Sequence, residues 1–248
     1  MSSIPPLPQS LDEAISQAQT ATQRALDDGL RRLQVELVFP EIPLKAQIIA
    51  KKFTDFFSDY GTGLKVIFPD TGAAALARRD WGETAFKVVD LGSRLISVET
   101  KVSDDDEIFL VVCAASMEVE KVEKLCNLVG DRPVILLIPQ LEDVSVVGIG
   151  YAARQLRERF ISILESCYYI RPVEGAMVYR NYPSSWLVFK EKEDDYELIA
   201  QEKKKPMGEY LDQLLNPVDD NVNSSEPNKR KKSGLFNQVG RLLKALNN

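Results

Sequence analysis

Histidine is absent from this chain of 248 residues. Because histidine is the base in Ser-His-Asp and Cys-His pairs and a common zinc ligand, these mechanisms and histidine-ligated zinc sites are excluded. A Ser-Lys or paired-carboxylate enzyme remains open. However, the densest group of acids, at 104–107, directly precedes an apolar run, which is typical of a solvated turn. We therefore expect no catalytic residue, no metal and no cofactor, and we predict that the protein is not an enzyme.

Cysteines and long apolar runs are also scarce. The three cysteines, Cys113, Cys126 and Cys167, lie in apolar or helical contexts without CxxC spacing, which indicates reduced thiols rather than a disulfide scaffold. The longest apolar stretches are strand-length, whereas a membrane-spanning helix needs roughly 18 to 20 residues. The N-terminus shows neither a secretory signal nor an Arg-rich transit peptide. These absences together favour a cytoplasmic location.

The apolar runs that are present alternate with helical patterns. Runs at 33–39, 64–68, 107–113 and 133–138 predict strands, and the segments between them predict helices, including one at 44–60 that forms a βαβ unit with the first two strands. We expect an α/β fold with a mainly parallel sheet and helices on both faces. Antiparallel edge strands are expected near 168–190, after a helix at about 151–166. Residues 1–215 are predicted to form one domain, 216–228 a flexible linker, and 229–248 a helical tail.

The tail differs in charge from the rest of the chain. It carries six basic residues and no acid, namely Lys229, Arg230, Lys231, Lys232, Arg241 and Lys244. The whole chain has a formal net charge of −6, and the linker holds three acids and no base, so residues 1–215 carry −9. An acidic body is therefore followed by a basic tail.

The apolar residues of the tail recur with helical spacing. They share one face of a predicted amphipathic helix and are Leu235, Phe236, Val239, Leu242, Leu243 and Leu246. Basic residues beside an anionic bilayer contribute roughly 1 kcal/mol each, and burial of the apolar face adds to this. We expect weak, reversible docking on anionic lipid or on a membrane-protein complex, since the same face also suits a partner helix. The acidic body repels phosphate, so no nucleic-acid partner is expected.

A second candidate site is a glycine-containing loop before a predicted helix. Gly148 and Gly150 match G-x-G-x-x-A, a pattern that seats a pyrophosphate on a helix N-terminus. The signal is weak, because no strand directly precedes the first glycine and no phosphate-loop signature occurs. Arg154 and Arg157, three residues apart, suit an anion, although a polar helix face explains them as well.

Two aromatic residues belong to the same hypothesis. Tyr182 and Trp186 lie in the segment Tyr-Pro-Ser-Ser-Trp and are candidates for contact with a ligand. A turn between two strands, with Trp186 packing back on the sheet, explains the segment more simply.

Several short motifs carry a family resemblance. They are the strand at 133–139, the loop 148–154, and Arg157, Phe160, Tyr168, Tyr169 and Pro172, followed by Arg180-Asn-Tyr-Pro-Ser-Ser-Trp186. Together they resemble the domain of unknown function numbered nineteen ninety-five, found in cyanobacteria and chloroplasts, whose plant members include the Low Photosystem II Accumulation proteins. The resemblance covers about residues 8 to 200. It implies a soluble α/β domain that assists photosystem II biogenesis, without a catalytic residue to carry over.

These observations predict a non-catalytic accessory or assembly factor, for photosystem II or another thylakoid complex, which docks through its C-terminal helix. The expected location is a cyanobacterial cytoplasm, peripherally at the thylakoid membrane. Two alternatives remain open: a nucleotide- or small-anion-binding enzyme that uses the Gly148–Arg157 loop and helix, and a scaffold for a soluble complex. The client protein, the lipid preference and the oligomeric state are left open by the sequence.

Overall fold

The computed structural model describes residues 4–93, 96–141, 151–192 and 195–216. Within these ranges the helices are α1 (Leu11–Asp27), α2 (Ala46–Phe56), α3 (Thr71–Trp81), α4 (Val119–Leu128), α5 (Tyr151–Arg159) and α6 (Gly208–Leu215). The strands are β1 (Arg32–Leu37), β2 (Leu64–Phe68), β3 (Lys87–Asp90), β4 (Ile108–Val112), β5 (Val134–Leu137), β6 (Glu165–Val173), β7 (Ala176–Asn181), β8 (Trp186–Lys192) and β9 (Asp195–Glu202). Short 3-10 helices occupy Ile42–Lys45, Ser58–Gly63, Val98–Lys101, Ser116–Glu118 and Ile161–Ile163.

The strands form one sheet in the order β3-β2-β4-β5-β1-β6-β7-β8-β9. Neighbouring strands from β3 to β6 are parallel. The last three pairs, from β6 to β9, are antiparallel. The prediction of an α/β fold with a mainly parallel sheet is therefore confirmed, while the predicted helical tail lies outside the described residues.

Helices pack on both faces of the parallel part, because side chains alternate between the faces along each strand. In β2, Val66 packs in the apolar cluster that includes α1, α2 and α3, whereas Ile67 packs in the cluster that includes α4. Every residue of β2, β4 and β5 is buried. This explains why these strands are continuous apolar runs in the sequence.

Helix α1 illustrates how the sequence sets the ends of an element. The Ser10 hydroxyl accepts a hydrogen bond from the Glu13 amide at 3.1 Å, as its S-x-x-E pattern predicts. The helix ends at Asp27, because Gly29 takes φ 86°. The Leu30 amide then bonds back to the Ala25 carbonyl at 2.9 Å, which closes a Schellman motif.

The register of β6 is interrupted next to β1. Its pairing shifts between Gln34 and Val35, which leaves an extra residue in β6 and marks a β-bulge. As a result, Cys167 and Tyr168 both pack in the cluster with α1, and Tyr169 packs in a separate cluster with α6. The bulge thereby fixes which β6 side chains lie beneath α6.

Three sequence predictions need correction. β1 and β2 do not form adjacent strands of a βαβ unit, because β4 and β5 lie between them. The helix predicted at 151–166 ends at Arg159, and β6 begins at Glu165. The antiparallel part extends beyond the predicted 168–190, since β9 was not predicted.

The acidic run at 104–107 is only partly a solvated turn. Asp104 and Asp105 are exposed, as predicted. Asp106 is instead buried and forms an ion pair with the buried Lys65. Loss of either partner would leave the other charge buried and unpaired, so substitution of Asp106 or Lys65 alone is expected to destabilise the amino edge of the sheet.

Candidate functional site

The carboxyl ends of β2 and β4 form the place where this fold is expected to bind ligands. These neighbouring strands are parallel. From β2 the chain passes through α3 to β3 on one side, and from β4 it passes through α4 to β5 on the other. Because the two connections diverge and their helices pack on opposite faces, this topology predicts a crevice between the strand ends.

Two helical segments that begin at this edge, α3 and the 3-10 helix Ser116–Glu118 before α4, have a carboxylate of the chain itself at their start. The Asp70 carboxylate accepts a hydrogen bond from the Ala73 amide at 2.9 Å at the start of α3. The Glu118 carboxylate accepts one from the Ala115 amide at 3.1 Å, in the turn that leads into α4. A helix N-terminus attracts anions through its free amides and its dipole. Here each start already has a carboxylate hydrogen-bonded to one amide, and its negative charge disfavours phosphate binding at these two ends.

Asp90, the last residue of β3, organises the neighbouring loop. It accepts hydrogen bonds from the Gly92 amide at 2.8 Å and from the Thr71 hydroxyl at 3.3 Å, and the Lys101 ammonium lies 3.5 Å away. Burial raises the pKa of this carboxyl, but the Gly92 amide and the Lys101 charge outweigh it, so the pKa lies below its ordinary value. Asp90 is therefore held ionised and is fully engaged by its own chain.

Backbone strain occurs directly after β4 and β5. Cys113 and Ile138 take φ values of 52° and 53°, and such values are rare for side-chain-bearing residues and rarer still for isoleucine. Their amides donate to the Leu137 and Val35 carbonyls, each at 2.8 Å, which holds the strained residues on the sheet. Burial, assisted by the negative charge of Glu118, raises the pKa of the half-buried Cys113 thiol. At neutral pH this thiol is protonated and is a poor nucleophile.

A second group of interacting side chains lies beneath the start of α6. We call it the Trp186 cluster, and it consists of Glu36, Glu165, Tyr169, Arg180, Trp186 and Lys205. Tyr169 and Trp186 pack edge to face with ring centroids 5.1 Å apart, and both are almost fully buried. These two rings form the apolar centre of the cluster.

Lys205 connects the C-terminal segment to this centre. Its ammonium lies 4.3 Å from the Tyr169 ring centroid and 5.7 Å from that of Trp186, and it forms an ion pair with Glu36 at 2.8 Å. The Ser166 hydroxyl also hydrogen-bonds to Glu36. Lys205 therefore combines cation-π contacts with a charge-assisted hydrogen bond just before α6 begins.

Arg180 completes the cluster from the neighbouring strand. Its guanidinium carbon lies 5.1 Å from the Trp186 ring centroid, and it forms an ion pair with Glu165. The hydroxyl of Tyr182, two residues later, donates to Asp28 at 2.8 Å and so reaches the end of α1. The segment 180–186 thus joins β7 and β8 through a turn and contacts both faces of the sheet.

The residues predicted as an anion or ligand site do not form one group in the described structure. Arg154 and Arg157 are exposed on α5, which packs with α4 through Leu156. Trp186 belongs to the separate cluster under α6 and is 4% exposed. Gly148 and Gly150 lie outside the described residues, as does the whole tail at 229–248, so ligand binding by these segments stays a prediction.

The comparison with protein-family models gives one match. The model described as "Domain of unknown function (DUF1995)" matches residues 8–213. The chain belongs to the DUF1995 family. No solved structure matches this chain. The match includes the DUF1995 crevice and all members of the Trp186 cluster, and it ends before the basic tail.

Two findings describe the DUF1995 domain further. No helix in the described part of the domain is long and apolar enough to cross a membrane. Among the same residues, no group of three or more histidines, cysteines, aspartates or glutamates is arranged to hold a metal ion.

Part of this DUF1995 geometry was predictable from the sequence. Arg180 and Trp186 were selected as parts of a motif, and the structure brings them into contact. Asp90, Glu36 and Lys205 were missed. Asp90 closes a short apolar strand, which is a usable signal for the carboxyl edge, whereas Lys205 is the last of three consecutive lysines and nothing local distinguishes it.

Proposed function

We propose that this protein is an accessory factor in the assembly of photosystem II or another thylakoid complex. It acts without catalysis of its own and docks peripherally on the membrane surface through residues 229–248. The cyanobacterial and thylakoid setting rests on the sequence resemblance. Membership of a family of unknown function is compatible with this proposal.

The observation that carries the proposal is the contrast between the tail and the body. The tail has six positive charges and an apolar helical face, and residues 1–215 carry −9. Six basic residues contribute roughly 6 kcal/mol near an anionic surface, from which ordering of the segment and repulsion of the acidic body subtract. The balance favours reversible rather than permanent attachment.

The described end of the domain supports a separate docking segment. Helix α6 is held by Leu211 in the apolar cluster beneath it, and the Leu215 carbonyl accepts a hydrogen bond from Lys190 at 3.3 Å. The family match ends at residue 213. The tail therefore follows a domain whose last helix is already packed.

Flotation with lipid vesicles tests the docking step. The full chain is mixed with vesicles of phosphatidylcholine alone or with anionic phosphatidylglycerol, at low and high salt. One variant replaces the four basic residues at 229–232 with glutamine, and another changes Leu242→Gln and Leu243→Gln. The matched control changes Lys203→Gln and Lys204→Gln, two exposed lysines of the body.

The full chain and the control are expected to float with anionic vesicles only and to be released by high salt, because exposed charges are screened. Both tail variants are expected to remain at the bottom of the gradient. If they float as well as the full chain, docking through the tail is wrong. If the full chain binds no vesicle but binds isolated thylakoid complexes through the tail, the partner is protein rather than lipid.

The assembly role has its own test. The tail variants replace the normal protein in its source organism, and photosystem II subunits are quantified by immunoblot. Reduced accumulation with normal transcript levels is expected. Unchanged levels of every thylakoid complex after complete removal of the protein would contradict the proposal.

A further inference from the structure

A cavity lies at the amino edge of the sheet, opposite the crevice described above. It has a volume of about 290 Å³ and opens between the last turn of α2, the end of α3 and the loop 83–86 before β3. Its size is close to the lower end of the range for small-molecule pockets. No member of the Trp186 cluster is among its described lining residues.

The walls of the cavity are aromatic. Phe57 lines one side, and Trp81 and Phe86 line the other. Trp81 is held between Phe68 and Phe86, with ring centroids 5.8 Å and 6.0 Å away. A tryptophan fixed in this way offers a rigid π surface, and tryptophan is the aromatic side chain that attracts cations best.

The charged residues of the lining are predominantly acidic. Lys51 and Asp55 form an ion pair with each other. Glu83 also lines the cavity, and its carboxylate forms no ion pair within the described ranges. The last turn of α2 contains no basic residue, so the partial negative charge of that helix end adds to the carboxylate. The surroundings therefore favour positive charge.

We propose that this cavity binds a small organic ammonium ion, with an apolar or aromatic group against Trp81 and Phe86 and the ammonium towards Glu83. A neutral molecule of the same shape gains the apolar contacts alone. An anion of the same shape meets Glu83 and the end of α2 and is repelled. The order of affinity is therefore amine, then alcohol, then carboxylate.

Three probes of one shape test this order. The full chain is titrated with 2-phenylethylamine, 2-phenylethanol and 3-phenylpropionate at neutral pH, and tryptophan fluorescence is recorded. The chain has two tryptophans, and the second, Trp186, is buried in its own cluster. The variant Trp81→Phe assigns the signal, Glu83→Gln removes the charge, and Glu174→Gln is the control because this exposed glutamate lies in the β6–β7 turn.

The amine is expected to bind saturably with a Kd of about 1 mM and the alcohol about tenfold more weakly. Glu83→Gln is expected to weaken amine binding about fivefold, and Glu174→Gln to leave it unchanged. Equal binding of amine and alcohol, or no effect of Glu83→Gln, would overturn the assignment of the ligand as a cation. Absence of saturable binding of every probe up to about 20 mM, observed by calorimetry as well, would overturn the site itself.

Discussion

Lys205→Met is expected to loosen the C-terminal helix while keeping most of the side chain's apolar contacts. In the structure the Lys205 ammonium lies over Tyr169 and pairs with Glu36. The side chains of Lys205 and Glu36 are 25% and 12% exposed, so solvent screens this pair only in part. Methionine fills similar volume but removes the charge, so the Glu36 carboxylate loses its ion pair and keeps the hydrogen bond from the Ser166 hydroxyl.

The magnitude follows from the contacts that are lost. A hydrogen bond to a charged group contributes about 1.5–3 kcal/mol, and a partly exposed cation-π contact about 0.5–1 kcal/mol. Relaxation of Glu36 towards solvent recovers part of this. We expect the free energy of unfolding to fall by about 2 kcal/mol, which lowers Tm by about 4–8 °C in a domain of this size.

The assay is urea denaturation monitored by circular dichroism, together with amide hydrogen exchange of α6. Lys204→Met is the matched control, because the neighbouring Lys204 side chain is exposed and a surface change costs less than about 0.5 kcal/mol. A double-mutant cycle with Glu36→Gln is expected to give a coupling energy above about 1 kcal/mol. Equal stabilities of the Lys205 and Lys204 variants would refute the reasoning.

Three further predictions concern the carboxyl edge. Gly92→Ala is expected to lower the free energy of unfolding by more than about 3 kcal/mol, because the added Cβ would lie 2.2 Å from a main-chain oxygen and φ is +83°. Gly175→Ala is the control in the same denaturation assay, since Gly175 has a positive φ but open space around it, and it is expected to cost about 1 kcal/mol. Asp90→Asn is expected to lower the free energy of unfolding at pH 7, because Gly92 and Lys101 depress the folded-state pKa of Asp90. The difference in unfolding free energy from wild type is expected to shrink as the pH falls through that pKa, below about pH 4. A pH-independent difference would contradict this. Cys113 is expected to react slowly with a thiol reagent in the native protein. Burial raises the pKa of Cys126 and Cys167 to about 12, so these two are expected to react only after unfolding. Mass spectrometry of the labelled peptides measures both.

The central strands were predictable because a strand that is buried on both faces appears in the sequence as a continuous apolar run. β4 consists of five apolar residues, all of them buried. β9 leaves a weaker trace, since it is an edge strand in which exposed and half-buried residues alternate, with charges at both ends. The alternation of polar and apolar residues in β9 is consistent with a strand, but its acids and the neighbouring lysine-rich segment are typical of a loop, so no strand was predicted there.

The strand order and most of the candidate sites depend on long-range contacts. The apolar runs of β1 and β2 do not show that β4 and β5 separate them. Likewise, Lys203, Lys204 and Lys205 look equivalent in the sequence, and only the fold brings the third over Tyr169. The segment 180–186 could be recognised as a turn between two strands, because a proline between two short strands indicates a turn and Trp186 is expected to pack back on the sheet.

The position of β1 has a consequence for how the chain acquires its structure. β1 lies between β5 and β6, and its partners follow about 100 and about 130 residues later in the chain. During synthesis β3, β2, β4 and β5 can assemble with β1 before β6 has been made. The two halves of the sheet then join when β6 pairs with the free edge of β1. Until that step this edge of β1 is open to pairing with other chains, and folding is expected to be slow and sensitive to protein concentration.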